Sequence, residues 1–137
     1  VEDNSAVITN LILNDTEISI IGIHLLPGAT KKNFNDTLQQ INYLKTIVNN
    51  TSKNLILLGD LNMTSTSKRF TNFLKETNLY TYTSYKNITS TWPAFVPNLL
   101  GIQIEHVLFS NNFKMINKNT ANSFDSDHRP LIVELSY

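Results

Sequence analysis

Residues 54–62 read "NLILLGDLN". An unbroken apolar run of this length, bounded by turn-forming residues, is the pattern of a strand covered on both faces. It is expected to span 55–59. Its end is unusual. Asp60 and Asn62 stand two apart, and residues at i and i+2 of a strand project to the same side. An acid and an amide aimed at one spot past a strand's end do nothing for an apolar core, but they suit a cleft.

The flanking sequence places this strand in a mixed architecture. "AVITNLIL" (6–13) and "EISIIGIH" (17–24) are rich in β-branched residues and separated by the turn signal "NDT", which predicts a hairpin ending at His24. "LLPGAT" breaks regular structure. From about 31 to 49, Phe34, Leu38, Ile41, Leu44 and Ile47 or Val48 recur at helical spacing and give one apolar face. A second helix is expected near 67–76, with Ser67 as N-cap and Phe70, Phe73 and Leu74 inward. Residues 77–101 look irregular. Strands are expected at 102–109, 113–116 and 129–135, with a polar turn "DSDH" at 125–128. Helices alternating with strands make the class α/β or α+β. The chain carries no internal repeat, linker or low-complexity tract.

Composition narrows the chemistry. The 137 residues suffice for one domain with a modest core. Eleven basic and eleven acidic side chains cancel, so no global positive field holds nucleic acid by itself. Without Cys there are no disulfides and no thiolate metal sites. No apolar run reaches the length of a membrane span, and no stretch reads as a signal peptide. The Asn-X-Ser/Thr triplets, such as Asn87-Ile88-Thr89, are what an Asn-rich composition generates.

The polar residues that stand out fall at strand boundaries: His24, then Asp60 and Asn62, then Asp125, Asp127 and His128, with Glu105 and His106 inside the penultimate strand. Strand ends and loops along one sheet edge are where open α/β folds assemble sites. Asp and Asn oxygens suit Mg²⁺ or Mn²⁺. A His held by a carboxylate is a general base able to activate water near neutral pH. Together these groups suit hydrolysis of a phosphate ester. Each has an ordinary structural reading alone: an Asx turn at "GDLN", a core or cap His24, a turn at "SDH", a salt bridge at Glu105, packing at Trp92. His106 is expected on the face opposite Glu105. Their arrival together, in order, each at a strand end, favours a site.

"IHLLPG", "LILLGDLN", "TWPAFVP", "IQIEHVLFS" and "SDHRPLIVEL" together resemble the endonuclease/exonuclease/phosphatase superfamily, which includes pancreatic-type deoxyribonuclease, abasic-site endonucleases, sphingomyelinases and inositol-polyphosphate phosphatases. The resemblance runs through nearly the whole chain, and the Trp-Pro segment is most similar to a bacterial branch whose catalytic domain follows transmembrane helices and faces outside the cytoplasm. It implies a deoxyribonuclease-I-like fold, a four-layer αββα sandwich of which this chain is the C-terminal half, mostly antiparallel with two main helices. It implies Mg²⁺ or Mn²⁺ as cofactor and a phosphate ester as substrate: nucleic acid, nucleotide, phospholipid or sugar phosphate. Asp60 would orient the attacking water or contact the metal. Asn62 would hydrogen-bond the scissile phosphate and fix Asp60. Asp127 would be a metal ligand, and His128 the base or phosphate-polarising His. His24 matches a His that contacts the phosphate and can protonate the leaving oxygen. Trp92, with Tyr80, Tyr82 and Tyr85 in the loop 80–100, is the place to look for substrate contacts.

Two departures follow from the same resemblance. Glu105 stands where the family has an Asp that supports the catalytic His, and its extra methylene is expected either to displace His128 by about an ångström, worth about a hundredfold in rate, or to be accommodated by a small backbone shift. Family domains are also about twice this length and begin with strands bearing an Asn and the main metal Glu. Glu2 and Glu17 do not sit in that motif. A half sandwich would expose apolar surface and associate with the other half or with a second copy. A fold-retaining module that binds without catalysis is the alternative.

Overall fold

In the computed structural model, residues 6–28, 30–82 and 89–137 are described. Strands β1 (Val7–Leu13) and β2 (Thr16–His24) form the expected hairpin. Its turn is tighter than the sequence suggests. Leu13 pairs with Thr16, and both intervening residues, Asn14 and Asp15, have positive φ (49° and 59°). This is a two-residue turn whose twist matches the strands, and Asn and Asp tolerate it best after Gly.

Helix α1 (Lys31–Asn50) follows, with Thr30 Oγ1 accepting from the Asn33 amide as its N-cap. Strand β3 (Leu55–Asp60) pairs parallel to β2, which the intervening helix makes possible. Helix α2 (Lys68–Thr77) starts at Ser67, whose hydroxyl accepts from the Phe70 amide, and stops at Asn78 in the left-handed region. Strand β4 (Glu105–Phe109) pairs antiparallel to β3 and completes a sheet of order β1-β2-β3-β4. Strands β5 (Lys114–Thr120) and β6 (Leu131–Ser136) form a second, antiparallel sheet. The architecture is therefore mixed α/β, mostly antiparallel, with two main helices, as expected.

The two faces of the larger sheet differ. Ile21, Leu57 and Leu108 pack beneath α1 and α2 against Ile41, Leu44, Phe70 and Phe73, the main core. Each fully buried side chain of this kind contributes about 1.5–3 kcal/mol. On the other face Ile18, Phe109 and Phe113 make a smaller cluster with Ile20, Ile56, Met115 and Leu135, where β5 and β6 arrive. That cover does not reach the whole face. Leu58 is 40% exposed, so the expectation of a strand covered on both faces holds at Ile56 and fails two residues later. Strand β1 is exposed along its length.

Three further boundaries moved. The strand expected at 102–109 begins only at Glu105, because Ile102 is taken up in a bridge with Trp92. The strand expected at 113–116 runs from 114 to 120. The last begins at 131, since the Arg129 amide donates to Thr91 O and Pro130 has no amide to donate. Tyr85 lies outside the described residues.

Arg129 ties the loop to the site. Its Nη1 donates to Ser90 O (3.4 Å) and Ser90 Oγ (3.2 Å), and its Nη2 to Ala94 O and Val96 O (both 2.5 Å). The segment bearing Trp92 is thereby fastened to the turn bearing His128. A Lys has one ammonium and cannot span these acceptors. Arg129→Lys is expected to lower stability by about 1.5–3 kcal/mol, the scale of hydrogen bonds to a charged group. Urea unfolding checks this, and an unchanged midpoint would contradict it.

Candidate active site

The register of three adjacent strands creates the site. His24 of β2 pairs with Asp60 of β3, and Asp60 pairs with Glu105 of β4. Directly opposed residues share a face, so the three side chains form a row across one end of the sheet. By alternation the row lies on the face opposite the helices, the face that leaves Leu58 exposed. His128 reaches it from the turn before β6.

Gly59 makes the row possible. It has φ of 140°, and a Cβ there would lie 1.8 Å from Ile23 O. Only Gly lets β3 pass this close to β2 in that conformation. Asn62 arrives by a different route from the one its spacing implies. It lies beyond β3 with φ of 48°, so the i, i+2 strand rule does not apply. Instead Asp60 Oδ1 accepts from the Asn62 amide (2.7 Å), and Asn62 Nδ2 donates to Leu25 O (2.7 Å) and faces Asp60 Oδ2 at 3.3 Å. The acid and amide meet through an Asx turn that also fixes both. The Asx-turn reading of "GDLN" is thus the geometry observed.

His24 Nε2 lies 3.6 Å from Asp60 Oδ2, with its side chain 72% exposed. Glu105 Oε1 is hydrogen-bonded to His128 Nδ1. Glu105 thus reaches His128 directly despite its longer side chain. Ligand atoms of Asp60, Glu105 and His128 lie within 4.8 Å of one another. Asp127 stays outside this cluster, 70% exposed, its Oδ2 3.9 Å from His128 Nε2.

The electrostatics follow from this packing. Burial raises the Asp60 pKa above the ordinary carboxylate value; the Asn62 amide opposes this, the Glu105 charge adds to it, and His24 and His128 oppose it. For His128, burial disfavours the imidazolium. The hydrogen bond and charge of Glu105, then the charges of Asp127 and Asp60, outweigh it and raise the pKa. Glu105 Oε2 is buried with no hydrogen-bond partner. An orphaned carboxylate oxygen beside a second carboxylate is a donor set that fits a hard divalent cation.

His106 points the other way, as alternation requires. It is buried against Phe70 (4.3 Å between ring centroids), with Nε2 donating to Met63 O at 2.7 Å. Burial pulls its pKa down to about 4, partly opposed by the Met63 carbonyl. Above pH about 6.5 neither folded nor unfolded His106 carries the proton, and stability is complete. As pH falls from there towards 4, the unfolded chain takes up a proton that the folded one refuses. Up to about 3 kcal/mol is then lost. Urea unfolding at pH 7 and 4.5 should show this loss, reduced in His106→Phe; equal pH dependence in both would contradict it.

Trp92, 38% exposed, lines one cleft with His24, Asp60, Asn62 and His128. The cleft has a volume of about 560 Å³. Tyr80 does not join it. It bridges Phe109 and lines a different pocket with Leu55 and Ser110, at the other end of the strands. Two residues that the sequence reading passed over do belong here: Arg69, in the wall of the cleft, and Gly28 beside it.

Comparison with known proteins agrees with this fold. An endonuclease/exonuclease/phosphatase from Beutenbergia cavernae matches 96% of this chain with a TM-score of 0.78 at 16% identity, over 39% of its own length. A mannosyl-6-phosphatase from Bacteroides thetaiotaomicron matches 90% of the chain (TM-score 0.61, 21% identity, 53% of its own length). A 3′ phosphatase from Neisseria, solved with a product DNA hairpin, matches 95% (TM-score 0.72, 15% identity, 65% of its own length). The chain thus spans between about two fifths and two thirds of these relatives' lengths. No curated protein sequence matches it. The sequence model of the endonuclease/exonuclease/phosphatase family matches residues 15–128, from the hairpin turn through His128. The chain belongs to the endonuclease/exonuclease/phosphatase family.

Proposed function

We propose that this chain is the C-terminal half of a divalent-metal-dependent phosphohydrolase domain and carries its water-activating residues. The observation that supports this best is the Glu105–His128–Asp60 cluster on the open face of the sheet. Glu105 orients His128 and favours its charged form. His128 holds a proton beside the phosphoryl oxygens. Asp60, locked by Asn62, accepts a proton from the attacking water. His24, exposed at the end of the row, faces the leaving oxygen. The Asp60 and Glu105 carboxylates would hold Mg²⁺ or Mn²⁺, and Asp127 stands beside His128, its Oδ2 3.9 Å from Nε2. When bound, the cation neutralises charge on the phosphoryl oxygens. That Glu105 reaches His128 despite its length favours hydrolysis over a binding-only module.

The substrate belongs to the class of phosphate esters. The phosphatases among the structural relatives are consistent with that class and go no further. The exposed faces of β1 and Leu58 are suited to covering by the rest of the domain or by a second copy. No helix among the described residues is long and apolar enough to cross a membrane. Placement outside the cytoplasm, in the membrane-anchored branch, rests on the Trp92-Pro93 sequence resemblance.

Turnover of a phosphate ester in ¹⁸O-water by the full-length protein tests the reaction. Hydrolysis by activated water puts one ¹⁸O into the phosphate product at each turnover. No turnover, or product free of ¹⁸O, would contradict it.

A further inference from the structure

Arg69 is the second residue of α2, and its side chain extends into the wall of the same cleft as Asp60, Asn62 and His128. Its guanidinium is positioned on two sides. Cζ lies 5.0 Å from the centroid of the Phe34 ring. On the other side it lies against Gly28: a Cβ there would sit 2.8 Å from Nη1 and 3.4 Å from Nη2. Yet Nη1 is buried with no hydrogen-bond partner. A buried guanidinium nitrogen without an acceptor is costly, and with Nη1 closed off against Gly28 the positive charge is left for an anion to offset from the cleft that Arg69 lines.

Trp92, Ile102 and Ile104 add apolar lining to the same cleft. The cleft's volume, about 560 Å³, exceeds what one phosphate fills and is of the size that holds a small organic ligand. We infer that Arg69 is a substrate-anchoring residue: its guanidinium takes a second, non-reacting phosphate of the substrate while the scissile phosphate lies at Asp60, Asn62 and His128. This rests on the hydrolase reading of the site and adds the substrate class, a phosphate ester bearing a second phosphate. The guanidinium charge attracts phosphate, and its N–H groups that are not closed off can donate to phosphate oxygens.

Two ligand pairs test it by titration calorimetry on metal-free full-length protein: a thymidine dinucleotide with and without a 5′-phosphate, and glucose 1,6-bisphosphate with glucose 1-phosphate. In at least one pair the two-phosphate ligand should bind about tenfold tighter or better. The pair that shows it distinguishes a nucleic-acid strand from a sugar phosphate. Arg69→Gln should bring that ratio close to one. Gly28→Val, which keeps the charge but pushes the guanidinium aside, should do the same, with thermal melting confirming that both variants fold. A ratio near one in the wild type for both pairs, a ratio that survives Arg69→Gln, or no binding of any ligand would overturn the inference. His128→Gln separates the two readings. It should weaken the one-phosphate ligands if the hydrolytic site is correctly placed, whatever Arg69 does.

Discussion

Asp60→Asn in the full-length protein should lower kcat/KM for phosphate ester hydrolysis by about a thousandfold, within the range that a positioned acid or base contributes. Asp60 is the middle of the row, with His24 at 3.6 Å, Glu105 opposite and the Asn62 amide on its Oδ1. Asn keeps the shape and can still accept from the Asn62 amide, so the fold should survive while the proton acceptor is lost. A second reading separates a chemical role from a structural one. Burial, with Glu105 nearby, raises the pKa of Asp60 in the folded chain. For an acid the sign is then clear: the carboxylate costs stability at neutral pH, and that cost is relieved as pH falls through the raised value. Metal-free Asp60→Asn should therefore melt no lower than the wild type at pH 7. Lost activity with unchanged or higher melting temperature is expected. Undiminished kcat/KM would remove Asp60 from the chemistry, and a large fall in melting temperature would make its role structural.

Gly59→Ala should be far more damaging to the fold. Its Cβ would meet the backbone carbonyl of Ile23 at 1.8 Å, and φ of 140° is one that Ala resists. Neither clash partner is a flexible side chain. Relief requires β2 and β3 to separate where they are paired in parallel, between Leu25 and Asp60 on one side and Leu57 on the other. A loss of about 4 kcal/mol or more is expected, enough to leave most small domains unfolded. Because the same contact sets the His24–Asp60 pairing, any folded remainder should be inactive. Urea unfolding and soluble yield measure this; a midpoint close to the wild type's would mean the strands can part cheaply.

The elements written in local chemistry were legible in the sequence. Thr30 and Ser67 cap helices whose apolar spacing shows a face, and "ND" between two β-branched runs makes a hairpin. His24, Asp60, Glu105 and His128 were also legible, because polar groups at the ends of apolar strands have few structural uses. What was not legible depends on contacts between distant segments. Asn62 joins Asp60 through a left-handed turn and the carbonyl of Leu25, 37 residues away, which periodicity cannot express. Tyr80 looked like a cleft residue by its place in a loop, but the antiparallel bridge to Phe109 holds it elsewhere. Arg69 and Arg129 are the chain's two arginines among eleven basic residues. Both lie near the site, and Arg129 makes four hydrogen bonds there that only a forked cation can make. In a chain that otherwise uses Lys, those two positions were the available signal.

The claim beneath all of this is that one cluster, Asp60, Glu105 and His128, hydrolyses a phosphate ester with a divalent cation. Side-by-side assays of the full-length wild type and His128→Ala on bis(p-nitrophenyl) phosphate and p-nitrophenyl phosphate test it most directly. Turnover of at least one ester is expected in the wild type, stopped by EDTA, restored by Mg²⁺ or Mn²⁺, and reduced by two orders of magnitude or more in the variant. Turnover indifferent to EDTA, or undiminished in His128→Ala, would contradict it.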